Sequence, residues 1–248
     1  MEIKILSFNI HKGLSWNNQQ YTLHRIKQFI RNTDVDLAFL QEISGENIKH
    51  KDSFEEACTE SQFEYLASEV WPYYAYSKNA VYDHGHHGNA ILSKFPINEY
   101  EKLDISTNRF EQRGLLYAKV HIPHLQRDVH CFCVHLNLLH SGRVAQYQKL
   151  IDKIQSLNIQ DEMIVLAGDF NDWNQAAHSY LSKELDLVEC HKSIHQDYAK
   201  SYPSRFAFLK LDRVYVKNVD ILEAKVLKTR EWMNLSDHLP LNVKINLR

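Results

Sequence analysis

The chain has 248 residues, of which 44% are hydrophobic, and its net charge is −2 with a pI of about 6.7. This length and composition suit one large domain, residues 1–248, with a substantial core. Proteins that grip long nucleic acids usually carry a basic excess, so the charge balance favours a smaller or less charged ligand. No apolar run is long enough for a transmembrane segment.

The first residues, MEIKILSFNI, pass directly into a strand-like pattern and lack the layout of a secretory signal peptide. We therefore expect a cytoplasmic monomer. Of the four cysteines, Cys131 and Cys133 would share one face of a strand, and no Cys-x-x-Cys pair occurs. Buried thiols are favoured over a disulfide framework or a structural zinc site.

Strand-like and helix-like patterns alternate along the chain. Helical spacing is present in residues 22–32, with Thr22 as the predicted N-cap, and in residues 141–157. Apolar strand-like runs lie at 2–10, 36–41, 88–93, 114–122, 128–136, 163–168, 211–216 and 241–247. Some of these runs are joined by helices and others by short turns. The pattern predicts mixed β-sheets covered by helices, an α/β sandwich.

Four of the predicted strands end in polar side chains. A turn or a helix cap would explain one such ending, but four of them indicate one site built from several strands. The residues at these ends are Asn9, Glu42, His135, Asn137, Asp169 and Asn171.

The late segment LSDHLPL adds Asp237 and His238 to these groups. An oxygen-rich set of this kind suits Mg²⁺, with Mn²⁺ as a substitute, and a spare carboxylate can activate water. This chemistry is metal-assisted hydrolysis of a phosphoester. The sequence lacks the Gly-x-Ser-x-Gly elbow, the Walker loop, the dinucleotide-binding fingerprint and His-Glu-x-x-His.

The motifs SFNIHKG, LAFLQE, HGNAILSKFPI, CVHLNLLHSGR, LAGDFND, LDRVYV and LSDHLPL stand in one order along the chain. Together they resemble the endonuclease/exonuclease/phosphatase superfamily, which includes DNase I, abasic-site nucleases, neutral sphingomyelinases and inositol polyphosphate 5-phosphatases. The resemblance runs from residue 5 to about residue 240. It implies a four-layer α/β sandwich of two packed mixed sheets flanked by helices, with the site in a cleft at one end.

The resemblance also implies roles for individual residues. Glu42 resembles the principal metal ligand, with Asn9 and Asp237 close to the ion or its waters. Asp169 resembles the residue that orients or deprotonates the attacking water. His238 resembles the imidazole that stabilises charge on phosphorus, oriented by Asp212.

The phosphate side of the implied site is formed by amides and one further imidazole. His135 matches a histidine of the DNase I and sphingomyelinase branches that faces the phosphate or the leaving group. The resemblance and the strand-end pattern together give these phosphate-binding candidates: Asn171, Asn89, Asn137 and Asn9.

Two departures separate this chain from abasic-site nucleases, which often have Asn-x-Asp in the first motif and a tyrosine at the position of His135. Here the first motif reads Asn9-Ile10-His11. The preferred prediction is a phosphodiesterase or phosphatase acting on a lipid headgroup or a small phosphoester, with peripheral membrane contact left open. The alternatives are a DNase I-type nuclease, which requires a basic stripe beside the cleft, and a non-catalytic binding module.

A histidine-rich stretch, His84, His86 and His87, is interpreted as a solvated loop beside the cleft rather than as a transition-metal site. The role of His11 is left open.

Overall fold

The computed structural model describes residues 1–47, 61–68, 70–82 and 85–248. The strands are β1 (Glu2–Asn9), β2 (Leu37–Asn47), β3 (Tyr73–Tyr82), β4 (Gly85–Ser93), β5 (Ile97–Asp104), β6 (Gly114–Ile122), β7 (Arg127–His135), β8 (Met163–Asp169), β9 (Val188–Glu189), β10 (Asp212–Lys217), β11 (Val219–Val226) and β12 (Leu241–Leu247). The α-helices are α1 (Leu23–Thr33), α2 (Gln62–Ala67), α3 (His140–Ser156), α4 (Ala177–Leu185) and α5 (Cys190–His195). Short 3₁₀ helices span His11–Gly13 and Trp232–Asn234.

The described strands form two six-stranded sheets. The first has the order β11-β12-β1-β2-β4-β3, and the second has the order β5-β6-β7-β8-β10-β9. Each sheet is mixed, because β1 pairs with β2 in parallel, β7 pairs with β8 in parallel, and the other pairings are antiparallel. The carboxyl ends of β1, β2, β7 and β8 therefore meet at one end of the molecule.

Three hydrophobic cores define four layers. The central core lies between the facing sides of the two sheets and includes Ile5, Phe39 and Val165. A second core joins the outer face of the second sheet to α3 and α4, while a third joins the outer face of the first sheet to α1 and α2. This arrangement confirms the predicted four-layer α/β sandwich.

The structure also corrects two local expectations. The Thr22 side chain does not cap α1, because its hydroxyl donates hydrogen bonds to the carbonyls of Gly13 and Leu235. His86 and His87 lie in β4 rather than in a solvated loop, and His87 is buried. His84 is outside the described residues.

The predicted buried thiols agree with the structure where it can be compared. Cys131 and Cys133 lie side by side in the central core, and burial raises the pKa of both thiols. No described helix combines the length and apolar character needed to cross a membrane.

Candidate active site

The candidate site forms where the two sheets meet at their carboxyl ends. Asn9 at the end of β1 is level with Gln41, so Glu42 lies one residue beyond it on β2. On the second sheet, His135, Asp169 and Asp212 end or begin three adjacent strands at the same level. The Asn9 amide crosses between the sheets, with its nitrogen 3.1 Å from Asp169 Oδ2 and 3.4 Å from Glu42 Oε1.

Local backbone irregularities help to place two of the functional side chains. Glu42 has φ of 54° where the pairing of β2 with β4 shifts between Leu40 and Ile43. Asn171, just after β8, has φ of 47°. Left-handed backbone is costly for residues with a β-carbon, and such strain concentrates at functional sites.

Two imidazoles converge on the buried carboxylate of Asp169. His135 Nε2 and His238 Nε2 each lie 3.6 Å from Asp169 Oδ2. The other nitrogen of His238, Nδ1, lies 2.9 Å from Asp212 Oδ2. Asp212 therefore holds the orientation of the His238 ring, and the second nitrogen of that ring points at Asp169.

Electrostatics give the two imidazoles opposite properties. Burial opposes protonation of His238, but the carboxylates of Asp212 and Asp169 outweigh it and raise the pKa of His238 to about 10. Burial, reinforced by the nearby Arg113 cation, lowers the pKa of His135 well below its ordinary value. At neutral pH the site therefore presents one imidazolium and one neutral imidazole.

The two principal acids also differ. Burial raises the pKa of Asp169 to about 6, although the His238 cation opposes the shift. Burial would also raise the pKa of Glu42, but the positive charge of Lys12, 3.6 Å away, opposes burial and lowers that pKa. Glu42 is thus a permanent anion, whereas Asp169 has a carboxylate basic enough to accept a proton.

The predicted metal ligands lie around Glu42. His11 Nδ1 is 3.3 Å from Asp237 Oδ1 and 3.9 Å from Glu42 Oε2, and Lys12 Nζ is 3.6 Å from the same Glu42 oxygen. Carboxylate oxygens of this kind are the ligands that a hard divalent ion prefers. Asp169, Asp212 and His238 also offer ligand atoms within 4.8 Å of one another, but the Asp212–His238 hydrogen bond already uses two of those groups.

The predicted phosphate-binding amides are not equivalent in the structure. Asn171 adjoins the cluster, with its backbone N–H donating to Asp169 Oδ1 at 2.9 Å and its side chain donating to the Leu136 carbonyl. Asn137 is held by Thr107 and Gln146, and no hydrogen bond among the described residues joins it to the acids and imidazoles.

Asn89 is the predicted site residue that fits its role least well. Its amide nitrogen donates to the carbonyls of Gly114 and Cys133, and its buried oxygen has no hydrogen-bond partner among the described residues. A phosphate oxygen needs a donor, and this orientation leaves none. The phosphate-binding role of Asn89 stays a prediction, which the geometry does not favour.

The structure adds residues to the site that the sequence reasoning did not assign. Lys12 and His11 flank Glu42, Arg113 influences His135, and the Tyr202 ring lies 4.9 Å from the His238 ring. His11 and Lys12 directly follow the Asn9 motif, so proximity in sequence was an available signal. Tyr202 is far from every motif and had no such signal.

Comparison with known proteins gives consistent results. The sequence model described as Endonuclease/Exonuclease/phosphatase family matches residues 6–238. The protein YbhP of Escherichia coli K12 is 39% identical over 244 residues, covering 98% of this chain and 96% of YbhP.

Solved structures share the fold at low sequence identity. An endonuclease/exonuclease/phosphatase from Beutenbergia cavernae superposes with a TM-score of 0.79 at 17% identity, covering 99% of this chain and 72% of that one. The human Nocturnin catalytic domain, solved with a bound sulfate anion, gives 0.78 at 18% identity, covering 100% and 95%.

Proposed function

The chain belongs to the endonuclease/exonuclease/phosphatase family, and from that premise we propose that it is a divalent-metal-dependent phosphoester hydrolase acting on a lipid headgroup or a small phosphoester. The observation that carries the proposal is the buried Asp169 carboxylate, which faces an imidazolium held by a second carboxylate and is linked to the Glu42 carboxylate through the Asn9 amide. These residues provide three distinct groups: a base (Asp169), a cation that can contact the phosphate (His238) and an anion that can bind the metal ion (Glu42).

Each residue has a distinct part in the proposed reaction. Asp169 Oδ2 accepts a proton from the attacking water, and the Asn171 backbone N–H fixes the other oxygen of that carboxylate. His238, kept protonated by Asp212, offers its Nε2 proton to a phosphate oxygen and stabilises the charge that develops there.

The metal would be held by Glu42 with Asp237 and Asn9. A bound Mg²⁺ or Mn²⁺ ion supplies Lewis-acid polarisation of the phosphoryl oxygen. His135, held neutral, lies 3.6 Å from the Asp169 carboxylate, and in the proposed reaction it contacts the phosphate or the leaving group.

A nuclease is the second candidate, and one observation favours it. A cavity of about 530 Å³ beside the site is lined by Lys78, Lys102, Arg109 and Arg113. A cationic surface next to the cleft is what the nuclease alternative requires. The net charge of −2 weighs against extended nucleic acid as the substrate.

The test is a panel of phosphoesters assayed with Mg²⁺, with Mn²⁺ and with a chelator: duplex DNA, RNA, sphingomyelin, phosphatidylinositol phosphates and bis-p-nitrophenyl phosphate. We expect metal-dependent release from bis-p-nitrophenyl phosphate and from at least one lipid. Faster cleavage of DNA or RNA than of every lipid would support the nuclease instead. Chelator-resistant hydrolysis, or none at all, would contradict the proposal.

Ligand assignment is tested separately by calorimetry with Mg²⁺. The variant Glu42→Gln keeps the shape of the side chain but loses its charge, so we expect roughly tenfold or greater weakening of Mg²⁺ binding. The matched control is Glu99→Gln on the exposed strand β5. Equal affinity in both variants would remove Glu42 from the metal site.

A further inference from the structure

Exposed hydrophobic side chains are concentrated at the end of the molecule that carries the candidate site. Among the described large hydrophobic residues, the six most exposed have between 56% and 85% of their surface accessible, and all six lie in loops at that end. With Trp16, which is 40% exposed, they form what we call the apolar rim. Its members are Trp16, Phe110, Leu138, Leu139, Trp173, Phe206 and Phe208.

The loops of the apolar rim are those that carry or adjoin the site residues. Leu138 and Leu139 follow His135 on the same segment, and Trp173 follows Asp169 and Asn171. The other rim residues come from the segments after β1, before β6 and before β10. The strand ends next to these segments lie at the same level as the site residues. The rim residues therefore lie on loops at the end of the molecule that carries the cleft.

These same segments carry an excess of positive charge. Segments 10–22, 105–113, 136–139, 170–176 and 196–211 contain six lysines or arginines and three acids, although the whole chain has a net charge of −2. Each of the three acids, Glu111, Asp172 and Asp197, is already paired with a lysine or an arginine.

Cations also accompany the rim aromatics directly. The Arg109 guanidinium lies 4.8 Å from the Phe110 ring centre, and the Arg205 guanidinium lies 4.3 Å from that of Trp16. Arg109 also lines the cationic cavity with Lys78 and Lys102, and neither lysine forms an ion pair with a described residue. The surface around the cleft is therefore both apolar and electropositive.

The chemistry of the rim favours a lipid surface over nucleic acid. Base stacking of single-stranded nucleic acids could use the five aromatic rings of the rim, but the adjacent Leu138 and Leu139, 60% and 68% exposed, offer no ring to stack on. Aliphatic and aromatic side chains next to arginine and lysine are the composition of proteins that insert into the boundary of an anionic bilayer. Large exposed apolar groups of this kind mark interaction surfaces in soluble proteins.

We propose that the apolar rim seats the cleft on an anionic phospholipid surface, with lipid headgroups entering the cationic cavity beside the site. This inference rests on the proposed function, because it narrows the phosphoester substrate to one presented by a lipid aggregate. Lipid binding itself requires no hydrolysis, so the two proposals can fail independently.

The experiment measures co-sedimentation of the full chain with vesicles in the presence of a chelator. The vesicles contain phosphatidylcholine alone or phosphatidylcholine mixed with phosphatidylglycerol. The rim variant combines Phe110→Ser, Leu139→Ser and Phe206→Ser. Its matched control combines Tyr100→Ser, Val188→Ser and Leu222→Ser, three hydrophobic residues that are also exposed but lie outside the rim.

We expect wild type and control to bind the mixed vesicles and the rim variant to bind roughly tenfold or more weakly. Lys78→Gln combined with Lys102→Gln should abolish the preference for phosphatidylglycerol. Equal vesicle binding by the rim variant and the control would overturn the inference. The inference would also be overturned if the rim variant lost oligonucleotide binding but kept vesicle binding. It would likewise be overturned if gel filtration showed that the rim substitutions dissociate a dimer.

Hydrolysis of bis-p-nitrophenyl phosphate with Mg²⁺ separates the two proposals. The rim variant should keep the wild-type rate on this soluble ester while losing activity on vesicles. If soluble hydrolysis is intact but vesicle binding is not rim-dependent, the lipid inference fails and the hydrolase stands. If no ester is hydrolysed although vesicle binding is rim-dependent, the proposed function fails and the lipid-binding surface stands.

Discussion

Two buried charged clusters share residues from segment 169–172 and from the start of β10, but their polar groups are arranged differently. The reactive cluster contains Asp169, Asp212 and His238, while the supporting cluster contains Asp172, Arg213 and Tyr147. Asp169 and Asp172 are three residues apart, and Asp212 and Arg213 are adjacent on β10. Side chains of neighbouring strand residues point to opposite faces of a sheet. Asp212 therefore faces the cleft with Asp169, while Arg213 packs behind it with Asp172.

The supporting cluster has its acid fully surrounded by donors. Asp172 accepts hydrogen bonds from the N–H groups of Ala176 and Ala177 at the start of α4 and from the Tyr147 hydroxyl at 3.2 Å. Its other partner, the fully buried Arg213, lies 3.7 Å away. The carboxylate thereby ties α4 and α3 to the second sheet.

The reactive cluster leaves some of its buried polar groups without close partners. Both imidazoles stand 3.6 Å from Asp169, and Asp212 Oδ1 has no hydrogen-bond partner among the described residues. Buried polar groups without partners cost free energy, and they are expected where a ligand or water completes the site. Arg213 Nε of the supporting cluster also has no partner among the described residues, so the two acids differ in what they face. Asp169 faces two imidazoles, whereas Asp172 faces helix N–H groups and Arg213.

The two acids can be compared directly by making the same substitution at each, and Asp169→Asn should have the larger effect. Removing a water-activating base lowers the rate of hydrolysis by about 10²–10⁴-fold. Because burial already disfavours the Asp169 carboxylate, its loss should leave the melting temperature unchanged or raised. The measurements are kcat on bis-p-nitrophenyl phosphate and thermal unfolding. A full rate in this variant would exclude Asp169 as the base.

Asp172→Asn should show the reverse pattern. Removing one partner of a buried ion pair leaves Arg213 uncompensated and destabilises the fold by about 3 kcal/mol. Chemical denaturation measures the free energy of unfolding, and kcat measured well below the unfolding temperature should stay close to wild type. If Asp172→Asn loses activity while keeping its stability, the division into reactive and supporting clusters is wrong.

A smaller effect is expected for Asp212→Asn, because Asp212 acts through His238. An amide in place of the carboxylate holds the ring less firmly, and loss of such an orienting partner costs roughly 10–100-fold in activity. The loss should fall on kcat rather than on KM, since the ring acts on charge that develops during the reaction. A change confined to KM would indicate a role in substrate binding instead.

The sequence predicted the interior strands, and singled out Glu42 and Asp169, for one physical reason, whereas Asp212 was assigned through the family resemblance. Strands covered on both faces, such as β8, are continuous apolar runs, and a polar residue at the end of such a run is conspicuous. Edge strands lack this signal. β5 is exposed along nearly all of its length and has a mostly polar sequence, and it was not predicted.

The division between the two clusters could not be predicted in the same way. In the stretch Asp169-Phe170-Asn171-Asp172, each polar residue is equally conspicuous after the apolar run. The family resemblance assigned the reaction to Asp169, but the strand pattern does not say which of the acids faces the cleft. The answer depends on the left-handed backbone of Asn171 and on the placement of Arg213 and Tyr147, which are distant in sequence. Tyr202, which packs against His238, depends in the same way on long-range folding.

The smallest predicted effect concerns Tyr147 in the supporting cluster. Tyr147→Phe removes one hydroxyl donor from Asp172 and leaves its two backbone donors and Arg213 in place. A hydrogen bond to a charged group contributes about 1.5–3 kcal/mol, but at 3.2 Å with three other partners remaining the loss should be nearer 1 kcal/mol. Urea denaturation measures this change, and Tyr180→Phe on the neighbouring helix is the matched control. Since the carboxylate stays compensated, kcat should not change; a fall in kcat would mean that the two clusters are coupled through Asn171.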